Sequence, residues 1–153
     1  PVVLVGRSNR RRAQLALDLG VDHVILTAEE RDPVVATGRI LGGGADVVFE
    51  ASGNPDATCT AMGIVRPGGR LILIGLYPRK VAVDWNRIVT REVEVRGTWT
   101  SGVFADWRNA IKLVQARAVL LKPLITHRFG LEEWAEAFAV VNGGEAVKVV
   151  LFP

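Results

Sequence analysis

Gly44-Ala45-Asp46-Val47-Val48-Phe49-Glu50-Ala51-Ser52-Gly53 is the stretch on which the fold turns. Its centre is a short apolar run between glycines, the pattern of a strand buried on both faces, and we place a strand over 46–50. Asp46 and Glu50 bracket that run on one side of an extended chain, where they read as end-of-strand anchors rather than an acid/base pair. Downstream, Asn54-Pro55 is a helix cap followed by a first-turn proline, predicting a helix over 54–65 with Ala57, Ala61, Ile64 and Val65 on one face. Pro67-Gly68-Gly69 then reads as a turn, and RLILIG at 70–75 as the next strand. Upstream, helical patterns over 10–19 and 31–41 alternate with apolar runs at 2–5 and 24–26; Gly20 and the glycines at 42–44 end the two helices. Towards the C-terminus we expect helical turns near 84–90, a strand near 92–98, and an amphipathic helix carrying Trp107, Ala110, Ile111 and Val114. Lys122-Pro123 is a boundary; Leu131, Trp134, Ala135 and Phe138 repeat the helical spacing, and VKVVLF at 147–152 is a final strand. Alternation of this kind predicts an α/β fold, a parallel sheet covered by helices.

The composition excludes several classes of function. At 153 residues and 49% hydrophobic the chain can bury a core, so disorder is not expected. No apolar run approaches the roughly 20 residues that span a bilayer, so no membrane partner is expected and a soluble, cytoplasmic protein is. Cys59, the single cysteine, cannot form an intramolecular disulfide and reads as a small core residue. His23 and His127 read as structural, and the residues offer no cluster at metal-ligand spacing. The net charge of +3 invites a nucleic-acid reading, but Arg7, Arg10, Arg11 and Arg12 carry it, and without them the balance turns negative. A local excess of this kind suits a compact anionic ligand better than a long polyanion, so no nucleic-acid partner is expected.

Those arginines follow the first apolar run, in Gly6-Arg7-Ser8-Asn9-Arg10-Arg11-Arg12. In doubly wound sheets ligands bind beyond the carboxyl ends of the strands, and an acidic residue at such a strand end accepts hydrogen bonds from a nucleotide ribose. Arg and Ser there instead suit a 2′-phosphate, because a guanidinium fork matches phosphate oxygens and no carboxylate repels them. Ala51-Ser52-Gly53 and Gly75-Leu76 lie just past two further buried runs, where small residues let backbone approach a ligand. No G-x-G-x-x-G occurs, and Ser8, Ser52 and Ser101 lack the G-x-S-x-G elbow, so no catalytic residue is assigned.

Together GADVVFEASG at 44–53, PGGRLILIG at 67–75, VEVRGTW at 93–99, LITHRFGLEEWAEAF at 124–138 and EAVKVVL at 145–151 carry a likeness across nearly the whole chain. In their order and spacing the chain resembles the C-terminal part of zinc-dependent medium-chain alcohol dehydrogenases, closest to the polyol (sorbitol) and threonine dehydrogenase branch. The resemblance implies a Rossmann-type doubly wound parallel sheet over 1–120, binding NAD(P), and a segment over 121–153 that returns to the catalytic domain. It also implies a central first strand with a Gly-rich turn, and zinc ligands, ahead of Pro1; the expectation is therefore a piece of a longer polypeptide with the central slot of its sheet empty.

By position, the resemblance implies NADP rather than NAD, with Arg7 and Ser8 at the 2′-phosphate and Arg11 or Arg12 assisting or covering the adenine. Ala51, Ser52 and Gly53 match a segment near the cofactor ribose, and Gly75 and Leu76 match backbone near the nicotinamide. Thr98 and Trp99 match the cofactor-side end of the last sheet strand, and Lys148 a basic residue that reaches the pyrophosphate. In the intact enzyme zinc would polarise the oxygen of an alcohol or polyol while hydride passes to the nicotinamide; this chain alone would be inactive. The strand near 92–98 matches an edge through which family members pair, so a homo-oligomer is expected. Two alternatives stay open: a zinc-free quinone or enoyl reductase of the same superfamily, and a non-enzymatic module binding a nucleotide or partner.

Overall fold

The computed structural model describes residues 1–99 and 103–153. Within them every ladder is parallel, and the strands fall into three sheets. β1 (Val3–Gly6) pairs with β2 (His23–Leu26), with α1 (Arg10–Asp18) as the crossover between them. β3 (Ala45–Glu50), β4 (Val65–Leu73) and β5 (Glu94–Gly97) form the second sheet in that order. α2 (Pro33–Leu41) leads into β3, α3 (Pro55–Ile64) connects β3 to β4, and α4 (Trp85–Thr90) connects β4 to β5. After α5 (Val103–Gln115), a third unit pairs β6 (Ile125–Gly130) with β7 (Lys148–Phe152) around α6 (Trp134–Asn142).

Helix starts follow from side-chain chemistry. Asn9, Asp32, Asn54 and Asp84 cap α1, α2, α3 and α4, each accepting a hydrogen bond from backbone N–H groups of the first turn. Pro33 and Pro55 occupy the first helical turns, where the missing N–H costs nothing.

The core sits in the second sheet. Ala61, Met62, Val65, Leu71 and Val93 form one buried cluster, with Val48, Leu73, Val83 and Ile88 packed against it. Leu71 is 1% exposed and contributes to both neighbouring ladders through its pairing with Val48 and Val95. Leu71→Ala is therefore expected to destabilise by about 2–5 kcal/mol, the range for a buried leucine whose cavity cannot collapse, read as a lower thermal midpoint.

β1 and β3 share no ladder among the described residues, so β1-β2 and β3-β4-β5 are separate parallel ladders. Parallel ladders joined by crossover helices make this a Rossmann-type doubly wound α/β arrangement. Leu4 and Val5 of β1 and Val47 and Phe49 of β3 are exposed, Phe49 by 66%, although their apolar sequence suits a sheet buried on both faces. α2 contacts both β2 and β3 and packs on α3, which joins the two sheets on one side.

Three local expectations need correction, and one strand was not expected. Pro67-Gly68-Gly69 lies within β4 rather than before it: Val65 already pairs with Ala45, and the register then jumps to Val47 opposite Arg70, so the turn is a detour inside the strand. Cys59 is exposed, not a core residue; the buried face of α3 is Thr58, Ala61, Met62 and Ile64. Leu131 belongs to a short 3₁₀ turn, Leu131–Glu133, and α6 begins at Trp134. β6 was not expected from sequence, because its polar Thr126 and Arg128 interrupt the apolar run; the alternation of Ile125, His127 and Phe129 is its signal.

Candidate functional site

The carboxyl ends of β3 and β4 are built around a buried carboxylate. Glu50 is 4% exposed and closes β3. Its Oε1 accepts from the Ser52 N–H at 2.8 Å, from the Gly53 N–H at 3.2 Å, and from the Ser52 hydroxyl; its Oε2 accepts from the Tyr77 hydroxyl at 2.7 Å. The Glu50 carbonyl accepts from the N–H groups of Ile74 (2.8 Å) and Gly75 (3.1 Å), which carries the end of β4 onto β3. The Thr58 hydroxyl, in the first turn of α3, lies 2.9 Å from the Tyr77 hydroxyl.

Burial alone would raise the Glu50 carboxyl, but the hydrogen bonds from Ser52, Tyr77 and Gly53 outweigh it and hold it below the usual range. Burial first, with the adjacent Glu50 carboxylate, raises the Tyr77 hydroxyl above its usual value despite the bond from Thr58. At neutral pH Tyr77 is therefore a neutral donor and Glu50 a charged acceptor.

Two glycines let the walls meet. A Cβ on Gly75 would overlap the Gly53 N–H and lie 2.6 Å from the Gly53 Cα and 2.7 Å from Glu50 Oε2. Gly53 holds φ +66°, and a Cβ there would overlap the Leu76 carbonyl oxygen and lie 2.9 Å from its carbon. Ala51-Ser52-Gly53 and Gly75-Leu76 are thus brought together as one backbone surface, with Gly53 buried and Leu76 71% exposed. Thr98 follows β5 and donates its N–H to the Leu73 carbonyl at 3.0 Å; Trp99 beside it is exposed.

The arginine run splits as the chain enters α1. The carbonyls of Gly6 and Arg7 accept from the N–H groups of Thr27 (2.8 Å) and Ala28 (2.9 Å), which leaves the Arg7 and Ser8 side chains exposed at the end of β1. Arg10 pairs with Glu29 at 2.9 Å. Arg12 reaches the Ala146 carbonyl at 2.5 Å, and Asn9 donates to the Gly144 carbonyl at 2.8 Å, so the first turn of α1 is tied to the segment leading into β7 and to Lys148 at its start. Arg11 points to a separate shallow hollow with Gln14, Asp18, Pro123 and Thr126. Arg7 has no ion-pair partner among the described residues. Sequence reasoning missed Tyr77 and Thr58; the signal was the chain's single tyrosine two residues beyond Gly75. Ser101 lies outside the described residues.

Parallel strands joined by crossover helices, with glycine backbone and an exposed arginine at their carboxyl ends, define the class: a Rossmann-type α/β domain. Residues 2–116 match the family described as zinc-binding dehydrogenase. The chain belongs to that family. It is 37% identical to the L-threonine 3-dehydrogenase of Thermococcus kodakarensis over 99% of this chain and 44% of that protein. The L-threonine 3-dehydrogenase of Bacillus licheniformis is 35% identical over 95% of this chain and 42% of that one. An alcohol dehydrogenase of Thermotoga maritima superposes with a TM-score of 0.86 at 27% identity, covering 99% of this chain and 43% of that one. A dehydrogenase of Sinorhizobium meliloti solved with NADP shares the fold at a TM-score of 0.80, 24% identity, and coverage of 99% and 45%. The chain therefore spans less than half the length of the curated relatives it matches.

Proposed function

We propose that the protein carrying this chain is an NADP(H)-dependent dehydrogenase that transfers hydride between the nicotinamide and an alcohol or polyol, or its carbonyl product. The threonine and alcohol dehydrogenase relatives support the reaction class. The observation that carries the cofactor choice is the end of β1, where Arg7 and Ser8 stand exposed and Arg7 has no carboxylate partner among the described residues.

The residues present fit a dinucleotide. NADP supplies the hydride acceptor when bound. Arg7 would grip its 2′-phosphate with Ser8 as a second donor, the Ser52–Gly53 and Gly75–Leu76 backbone would bear the ribose and nicotinamide end, and Thr98 and Trp99 would border it. Lys148 and Arg12, on adjoining segments, would offset the charge of the pyrophosphate and cover the adenine side; Arg11, which faces its own hollow, is the weaker of the two candidates for the adenine. No group of three metal-ligating side chains occurs among the described residues; in this proposal zinc takes no ligand from them and is held elsewhere in the intact enzyme. No described helix is long and apolar enough to cross a membrane. The proposed location, the cytoplasm, rests on the enzyme class alone. β5 pairs only with β4 among the described residues, and its outer edge would serve pairing with a second copy.

Assaying the intact protein with NADP against L-threonine, simple secondary alcohols and polyols tests the reading. NADPH should form with at least one of these, and a chelator should abolish it. Turnover by residues 1–153 alone would contradict the division of labour proposed here.

A further inference from the structure

We propose that Glu50 is a positioning residue for the cofactor: its buried carboxylate ties the Ser52–Gly53 turn beyond β3 to Tyr77 beyond β4, and so fixes the joined backbone surface on which the dinucleotide would lie. This rests on the cofactor reading above and deepens it.

The chemistry selects a carboxylate. Every group aimed at the Glu50 oxygens is a donor: the Ser52 N–H at 2.8 Å, the Ser52 hydroxyl, the Gly53 N–H at 3.2 Å and the Tyr77 hydroxyl at 2.7 Å. A carboxylate is acceptor-only and takes all of them, whereas an amide would turn an N–H towards one of them. None of the described salt bridges includes Glu50, so the donors alone compensate a charge that is 4% exposed. Its partners lie on both walls. Ser52 and Gly53 form one, Tyr77 belongs to the other, and the Thr58 hydroxyl 2.9 Å from Tyr77 fixes that ring to α3. Since Gly53 and Gly75 touch backbone to backbone, a small change in either wall moves both.

The test is a double-mutant cycle in the intact protein, with NADP binding measured by titration and KM for NADP and for the alcohol measured separately. Glu50→Gln is expected to weaken NADP about ten-fold and Tyr77→Phe about three-fold, as for the loss of one charge-assisted hydrogen bond and of its outer half. KM for the alcohol should stay within about two-fold, and the double variant should be no worse than Glu50→Gln, since the two act through one bond. If Glu50→Gln does not fold, Tyr77→Phe, which removes only a hydroxyl, carries the test. Folded variants that bind NADP like the parent, with only a lowered thermal midpoint, would make Glu50 a structural anchor and overturn the proposal while leaving the cofactor reading intact. Additive losses would overturn the coupling. A parent that binds neither NADP nor NAD would overturn both.

Discussion

Arg7→Asp in the intact protein is expected to weaken NADP by about 100-fold while NAD binding improves or holds. The guanidinium offers a phosphate two parallel charge-assisted hydrogen bonds, about 1.5–3 kcal/mol in a partly exposed site, and the aspartate adds repulsion to their loss. At 1.4 kcal/mol per factor of ten this amounts to about two orders of magnitude. The same carboxylate is the acceptor an unphosphorylated ribose uses, so the change should invert preference rather than only reduce affinity. Arg10 supplies the control. Its guanidinium is occupied by Glu29 on the surface, so Arg10→Ala should alter NADP affinity by less than about two-fold.

Gly75→Val is expected to lower stability by about 4 kcal/mol or more, because its Cβ would overlap the Gly53 N–H and press on the Gly53 Cα and Glu50 Oε2 at 2.6 and 2.7 Å. Two of those three are backbone atoms, and the third is held by its own hydrogen bonds, so no flexible side chain can give way. For a domain of this size, about 2–4 °C per kcal/mol implies a fall in the thermal midpoint of about 10 °C. Gly97 in β5 is the matched comparison. A Cβ there meets nothing within 4 Å, and Gly97→Ala should leave the midpoint nearly unchanged.

The fold was legible where one physical rule acted alone. VVLV, DVVFE and LILI are apolar runs too short for buried helices, and the Asn-Pro pair at 54–55 suits the cap and first turn of a helix. It was illegible where tertiary partners decided. β6 carries three consecutive polar residues, Thr126-His127-Arg128, and is a strand because β7 pairs with it; Cys59 is small and apolar but falls on the outer face of α3, one position beyond the buried Thr58. The detour at 67–69 was hidden because proline and glycines suit a turn between elements and a bulge within one equally well.

The candidate site divides in the same way. Glycine positions and the strand-end arginine could be read from spacing, because they depend on backbone direction. What became of each arginine could not, since Glu29, Ala146 and the Pro123–Thr126 side of the Arg11 hollow come from other elements of the chain. The Glu50–Tyr77 bond joins residues 27 apart in sequence, and nothing local to either announces the other.

We propose that the end of β1 reads a 2′-phosphate. Titration of the intact protein with NADP and with NAD under one buffer and salt condition tests it most directly. Binding of NADP about 100-fold tighter than NAD is the expected result, from the same pair of phosphate contacts. NAD binding as tight as NADP would contradict it.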